Sequence, residues 1–240
     1  MREAVAGSRG KIGFVLASLG QEIVSGRYAN GEKLPPEGEL EKRFSASRSV
    51  IREAVKTLAA KGLVKVGPRI GTIVTPRESW SILDRDVLTW MKEAATDTNL
   101  FWAIDEVRAI IEPAAAALAA ERATEADVER IREAYERMVE AARTESVIDA
   151  VSADRDFHLA VLLATQNPVL RAFDTAIDSI LGVLFDSAVN HIDNFRSNLS
   201  RHGDVLNGIA ARRPSEASFA MMRVIGFTRE NMQKNQLYSK

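Results

Sequence analysis

The 240-residue chain has three histidines, His158, His191 and His202, and no cysteine. Thiolate metal sites and disulfides are therefore excluded, and any metal must be held by imidazole and carboxylate. Asp154 and His158 stand four residues apart, so on a helix they share a face and can chelate a divalent cation. His202 lies on a later segment and can complete the set from across a bundle. The plain alternative for the Asp154–His158 pair is an ordinary salt bridge. His191 lies near an expected loop and receives no role. A second chemistry lies nearer the N-terminus. At about 100° per residue, Arg48, Ser49, Arg52 and Lys56 fall on one arc of a helix, opposite Val50, Ile51, Ala54, Val55 and Leu58. One side is cationic and hydrogen-bonding, and the other is built to dock on a core. Such a helix can lie in a DNA groove, although a solvated charged face gives the same pattern.

Charge supports the groove reading. Residues 1–76 carry 13 Lys/Arg against 7 Glu and no Asp, whereas the remainder carries 19 against 26 acids. A basic third joined to an acidic remainder places a polyanion partner on the first part only. The apolar run Ile12–Leu19 is too interrupted for a signal peptide, because its helical period continues through Gln21 and Glu22 to Ile23. No stretch approaches the ~20 apolar residues that span a bilayer. These features predict a cytoplasmic protein with no membrane partner.

The elements that must position these groups follow from periodicity and punctuation. A first helix is expected from about Ser8 to Ser25, stopped by Gly26. A loop covers Tyr28–Pro36, and a short helix covers Pro36–Phe44. Ser45-Ala46-Ser47 is a turn, with Ser47 as N-cap of a helix Arg48–Lys61 that Gly62 ends. Leu63–Val66 and Thr72–Val74 read as strands around a hairpin tip containing Arg69 and Gly71. Pro76–Ser79 reads as a linker. Beyond it everything reads as helix: about Ser81–Ala94, Leu100–Arg122 with the stripe Ile104, Val107, Ile111, Ala115, Leu118, a helix to Arg143 opened by a Thr124/Asp127 capping box, Val147–Thr165, a helix capped by Asn167 with Pro168 first and running to about Ala188, Ser197–Ala211, and Ser215–Gln236 capped by Ser215. The expected fold is mainly α. A winged helix-turn-helix occupies residues 8–76, and an all-helical bundle occupies 80–236.

The motifs Leu34-Pro35, Glu39-Leu40, Phe44, Ser47-Arg48, Ile51-Arg52-Glu53-Ala54, Leu58, Gly62-Leu63-Val64 and the Gly71 wing resemble the winged helix-turn-helix of the GntR family of bacterial transcription regulators. Glu106-Val107-Arg108, Ile111-Glu112-Pro113, Asp154 with Phe157-His158, Asn167-Pro168-Val169-Leu170 and His202 resemble the all-helical FCD effector domain of its FadR subgroup. Leu83-Asp84-Arg85-Asp86-Val87-Leu88-Thr89-Trp90 places the chain near the sugar-acid-responsive regulators of that subgroup. The resemblance implies DNA contacts at Ser47, Arg48, Ser49, Arg52, Arg69 and Gly71. Many relatives carry an Arg before the Glu-Leu pair where this chain has Gly38, so one DNA contact is missing. It also implies a divalent metal on Asp154, His158 and His202, with zinc the first choice and nickel or manganese as alternatives. The family's fourth ligand position aligns with Val224, which cannot ligate. Arg108 would hold the carboxylate of a sugar acid such as D-galactonate, its alternative being a surface pair with Glu112.

The chain is therefore expected to be no enzyme but a homodimeric regulator, and a repressor first, that binds a double-stranded operator and is released by a small sugar acid. Two other readings compete with it. A metal-dependent enzyme in a helical bundle would use the same ligands, but no HExxH, phosphate loop or dinucleotide fingerprint accompanies them. An architectural DNA binder would use the bundle only to dimerise.

Overall fold

The computed structural model describes residues 2–94, 98–172 and 192–237. They fall into two compact units, Met1–Asp97 and Thr98–Lys240.

In the first unit, α1 (Arg2–Val24), α2 (Glu37–Phe44) and α3 (Arg48–Ala60) precede a two-stranded antiparallel sheet, β1 (Val64–Gly67) and β2 (Gly71–Val74). Val15, Leu19 and Ile23 of α1 recur every four residues and are buried, as are Val50, Ile51, Ala54, Val55 and Leu58 of α3. The apolar stripes of α1 and α3 pack together and hold the core. Ser47 occupies the N-cap position of α3, but its hydroxyl makes no capping bond and meets Ser49 Oγ at 3.0 Å instead. The segment expected as loop before Pro35 is partly sheet. Lys33 bridges Ile73, Leu34 N–H donates to Thr72 O, and Val74 N–H donates to Glu32 O.

Gly62 ends α3 at φ +79°, and a Cβ there would overlap the carbonyl oxygen of Ser79. Only glycine admits both the backbone angle and the contact. That contact brings the segment after the sheet back along α3. The Lys61 ammonium lies 2.7 Å from Asp84 and 2.8 Å from Asp86, and Ser81 N–H donates to Lys61 O. The next helix, α4, spans Arg85–Glu93, shorter than expected because Asp84 Oδ1 accepts the Asp86 and Val87 amides and so starts it. It packs on α1, where the Trp90 ring fills the space that a side chain at Gly20 would need. Tertiary packing thus joins this helix to the first unit, although its sequence places it after the linker.

The second unit is a helical bundle: α5 (Thr98–Arg122), α6 (Glu125–Thr144), α7 (Val147–Ala164), α8 (Pro168–Ala172), α9 (Ile192–Ala210) and α10 (Pro214–Leu237). The Thr124/Asp127 capping box forms in both directions. Asn167 Oδ1 accepts the Val169 and Leu170 amides, as a cap should. Ser215 does not cap α10: Pro214 is already the first helical residue, as its fixed φ and missing N–H favour. The expected continuation of the Pro168 helix to Ala188 lies outside the described residues, as does His191. Strands are absent after Val74 among the described residues, and among them no helix is long and apolar enough to cross a membrane.

The core is rich in alanine, with Ile131, Met138, Phe157, Val205, Ile209 and Met221 as its larger members. One expectation fails here. Val107 is 40 % exposed, and α5 instead buries Asp105, Arg108 and Glu112 beside Ile104 and Ala115. Periodicity ranks residues by hydropathy alone, whereas charged groups enter a core when partners on other helices meet them.

Candidate metal centre and nucleic-acid interface

Two helices bring the predicted ligands together. Asp154 and His158 project from α7 and His202 from α9, all buried, with potential ligand atoms within 4.8 Å of one another. Phe157 packs edge-on against both imidazoles, at 5.9 Å from His158 and 5.2 Å from His202, and fixes their planes.

Hydrogen bonds set the tautomers. His202 Nδ1 lies 3.1 Å from the Asn198 carbonyl, which can only accept, so Nδ1 carries the proton and Nε2 presents a lone pair. That Nε2 sits 3.1 Å from Asp154 Oδ1 without a hydrogen bond. His158 Nε2 lies 3.4 Å from Arg108 Nη2, a pure donor, so it also presents a lone pair, and Asp154 Oδ2 is 3.6 Å away. Its Nδ1 lies 2.5 Å from Glu112 Oε2, off the line of a good hydrogen bond. Both imidazoles therefore turn Nε2 toward one carboxylate, with a carbonyl or carboxylate behind Nδ1. Metal-bound histidines are backed in this way. Facing acceptors repel unless a cation lies between them, so the donor set fits a divalent ion.

Arg108 and Glu112 are both buried. Glu112 Oε1 accepts from Arg108 Nε at 2.6 Å, so the pair weighed as a surface alternative does form, but buried beside the ligands. Burial pushes the Glu112 carboxyl up, but the charge and hydrogen bonds of Arg108 outweigh it and hold the group well below its usual range. Burial likewise opposes ionisation of Asp154, and the positive charge of Arg108 works against that effect. Arg108 is held protonated against its burial by Glu112, Asp154 and Asp105. Val224 is buried on α10, and its carbonyl accepts from Asn198 Nδ2 at 3.2 Å. Sequence reasoning missed Glu112 as the group behind His158, and Asp105, Asn198 and Arg229 as members of the cluster. Spacing held one usable signal: Asp105, Arg108 and Glu112 share a helical face.

In the first unit, Arg48, Ser49, Arg52 and Lys56 are all exposed along α3, opposite its buried face. Ser47 precedes them at the helix N-terminus. Arg69 at φ +66° and Gly71 at φ +82° shape the exposed tip of the β1–β2 hairpin. Glu37, at the start of α2, is a further member that the sequence did not reveal. It lies 2.9 Å from Arg48 Nε and 3.7 Å from Arg52 Nε. Its carboxylate holds both guanidinium groups on one side of the helix.

Comparison with known proteins covers both units. Residues 11–74 match the model for bacterial regulatory proteins of the gntR family, and residues 103–227 match the FCD domain. The galactonate operon transcriptional repressor of Escherichia coli is 35 % identical over 212 residues, covering 88 % of this chain and 92 % of that protein. The Uxu operon regulator of Haemophilus influenzae is 30 % identical, over 85 % of this chain and 74 % of its own. Among solved structures, the Listeria monocytogenes regulator Lar superposes with a TM-score of 0.65 at 19 % identity, covering 92 % of this chain and 96 % of its own, and so shares the fold. An N-terminal winged helix-turn-helix followed by a helical FCD domain, matched over nearly the whole chain, places this protein in the GntR family of bacterial transcription regulators rather than among enzymes.

Proposed function

We propose that this regulator is a homodimeric, cytoplasmic repressor of sugar-acid genes, released from its operator when a sugar acid binds the metal-loaded helical unit. The observation that carries the reading is the convergence of His158 Nε2 and His202 Nε2 on Asp154 in a buried cluster short of positive charge. Among the described residues, the guanidinium groups of Arg108 and Arg229 face the carboxylates of Asp105, Glu112 and Asp154. With neutral imidazoles, one negative charge is left over. A divalent cation reverses that excess, and a monocarboxylate then neutralises the site. Asp154, His158 and His202 would hold the ion, with zinc the first choice for this donor set and nickel or manganese the alternatives. The metal supplies Lewis-acidic positions for hydroxyl and carboxylate oxygens. Val224 supplies no fourth ligand, which leaves room for a chelating hydroxy acid. Arg108, oriented by Glu112 through Nε, offers its guanidinium fork to the effector carboxylate.

Similarity to the galactonate operon repressor and the Uxu operon regulator supports the sugar-acid class, with D-galactonate the first compound to try. On the DNA side, Arg48 and Arg52 would read base edges in the major groove. Ser47 and Ser49 suit phosphate, and Arg69 with Gly71 would bring the wing to the adjoining groove. A dimer places two recognition helices about one helical turn apart on a pseudo-palindrome. The effector can release DNA only through unequal affinity for the two states.

A gel shift on the gene's own upstream region, with a panel of sugar acids and with or without chelator, tests this reading. Release by at least one acid, abolished by chelation, is expected. A complex that stays intact with every acid in both metal states overturns it and leaves a ligand-independent architectural binder.

A further inference from the structure

Among the described residues, two buried oxygen acceptors in the second unit have no donor. Asp105 is 1 % exposed, and Arg229 Nε holds its Oδ2 at 2.5 Å, yet Oδ1 has no hydrogen-bond partner among the described residues. Asn198 is 7 % exposed, and its Nδ2 is used on the Val224 carbonyl, yet Oδ1 is likewise without a donor. Native structures seldom leave a buried acceptor unpaired, because its lost hydration is not replaced. One such atom invites a water. Two, on the same side of one ion-binding cluster, suggest a ligand that brings its own O–H groups.

Helix directions place these acceptors in line. Asp105 meets Arg229 while Arg212 reaches the Ala120 carbonyl, so α5 runs antiparallel to α10. Asn198 meets Val224 while Gly208 packs on Ala217, so α9 is antiparallel to α10 as well. Helices α5 and α9 are therefore parallel, and a step toward the N-terminus on either leads to the same end of the bundle. Asn198 lies one turn before the ligand His202, and Asp105 lies about one turn before Arg108, a rise of ~4.5 Å. From the metal ligands the order is Arg108, then Asn198 near its level, then Asp105 farthest out.

We infer that Asp105 and Asn198 form a distal subsite that accepts hydroxyl hydrogens, so that the effector is a polyhydroxylated acid rather than a short 2-hydroxy acid. The inference rests on the proposed effector site and extends it. With carboxylate and 2-hydroxyl at the metal and Arg108, the later carbons of a six-carbon aldonate run past Asn198 toward Asp105. A two-carbon acid ends before reaching them. A hydrocarbon tail would bury both oxygens with no partner, and sites built for hydrogen bonding reject such analogues strongly.

Calorimetric titration of the zinc-loaded full chain tests this with D-galactonate, D-gluconate, glycolate and 2-hydroxyhexanoate, which keeps the carboxylate, 2-hydroxyl and chain length but lacks the distal hydroxyls. At least one aldonate is expected to bind about 100-fold or more tightly than 2-hydroxyhexanoate. Asp105→Ala should weaken that aldonate about tenfold or more and leave glycolate within about twofold. If Asp105→Ala does not fold, the comparison of ligands on the unmodified protein decides alone. Short or deoxygenated acids binding as tightly as the aldonates would overturn the subsite while leaving the metal-dependent effector site standing. Binding by none of the four would remove both.

Discussion

Arginine is used in opposite ways in the two units. Arg48 and Arg52 keep 71 % and 66 % of their side-chain surface in solvent and share one half-open carboxylate, Glu37. Arg108 keeps 3 % and is bound to Glu112 in a core that also holds Asp154, His158 and His202. An exposed pair contributes about 0–1 kcal/mol and is screened by salt, so its members can leave it for a phosphate or a base. A buried pair cannot dissociate without stranding a charge, so it holds its geometry until something of complementary charge enters. Exposure suits the unit that must exchange partners with a polyanion. Burial suits the unit proposed to recognise one small molecule and respond to it.

The sharpest way to break this contrast is to remove one member of each pair. Glu112→Ala strands Arg108 in the core and should lower stability by about 3–5 kcal/mol, measured as the urea midpoint of the full chain. The same group predicts the sign of the acid response. Its folded-state carboxyl titrates below the unfolded value, so its stabilising contribution is complete above an unfolded value near 4.3 and is lost as pH falls through the depressed folded one. Asp154 acts in the same direction. Glu112→Gln should therefore flatten the fall in stability below about pH 4, and an unchanged acid limb would show that the pair is not ionic. Arg52→Ala should leave the urea midpoint within about 0.5 kcal/mol but weaken specific operator binding by about 1–3 kcal/mol. Equal loss on a scrambled site would make Arg52 a phosphate contact instead. The smallest effect belongs to Glu37→Gln. Removing a carboxylate beside the two guanidinium groups should tighten DNA binding by less than about 1 kcal/mol, more at low salt than at high. Weaker binding would mean that Glu37 preorganises the arginines rather than competing for them.

Much of the first unit was legible because its signals are local. The two-sided period of α3, the turn at Ser45–Ser47, the stop at Gly62 and the Gly71 hairpin each depend on neighbours in sequence, and each element is present. What failed there was non-local. The Lys33–Ile73 bridge and the docking of Trp90 over Gly20 join residues about 40 and 70 positions apart, and no periodicity carries that information. In the second unit, Asp154 and His158 could be paired by their spacing and His202 by resemblance. The face of α5 could not be read in the same way. Hydropathy turned Val107 inward, whereas charge pairing across helices turned Asp105, Arg108 and Glu112 inward instead.

By itself, the sequence determined the order of helices and strands, the cationic face of α3 and the ligand types available for a metal, because backbone propensity, capping and periodicity act over one or two turns. Tertiary structure alone decided that Glu112 stands behind His158, that the Asn198 carbonyl fixes the His202 tautomer, and that Asp105 keeps one carboxylate oxygen free of donors. Those arrangements depend on which helices meet and in which direction they run. The energies that settle them are desolvation and charge pairing between residues far apart in the chain.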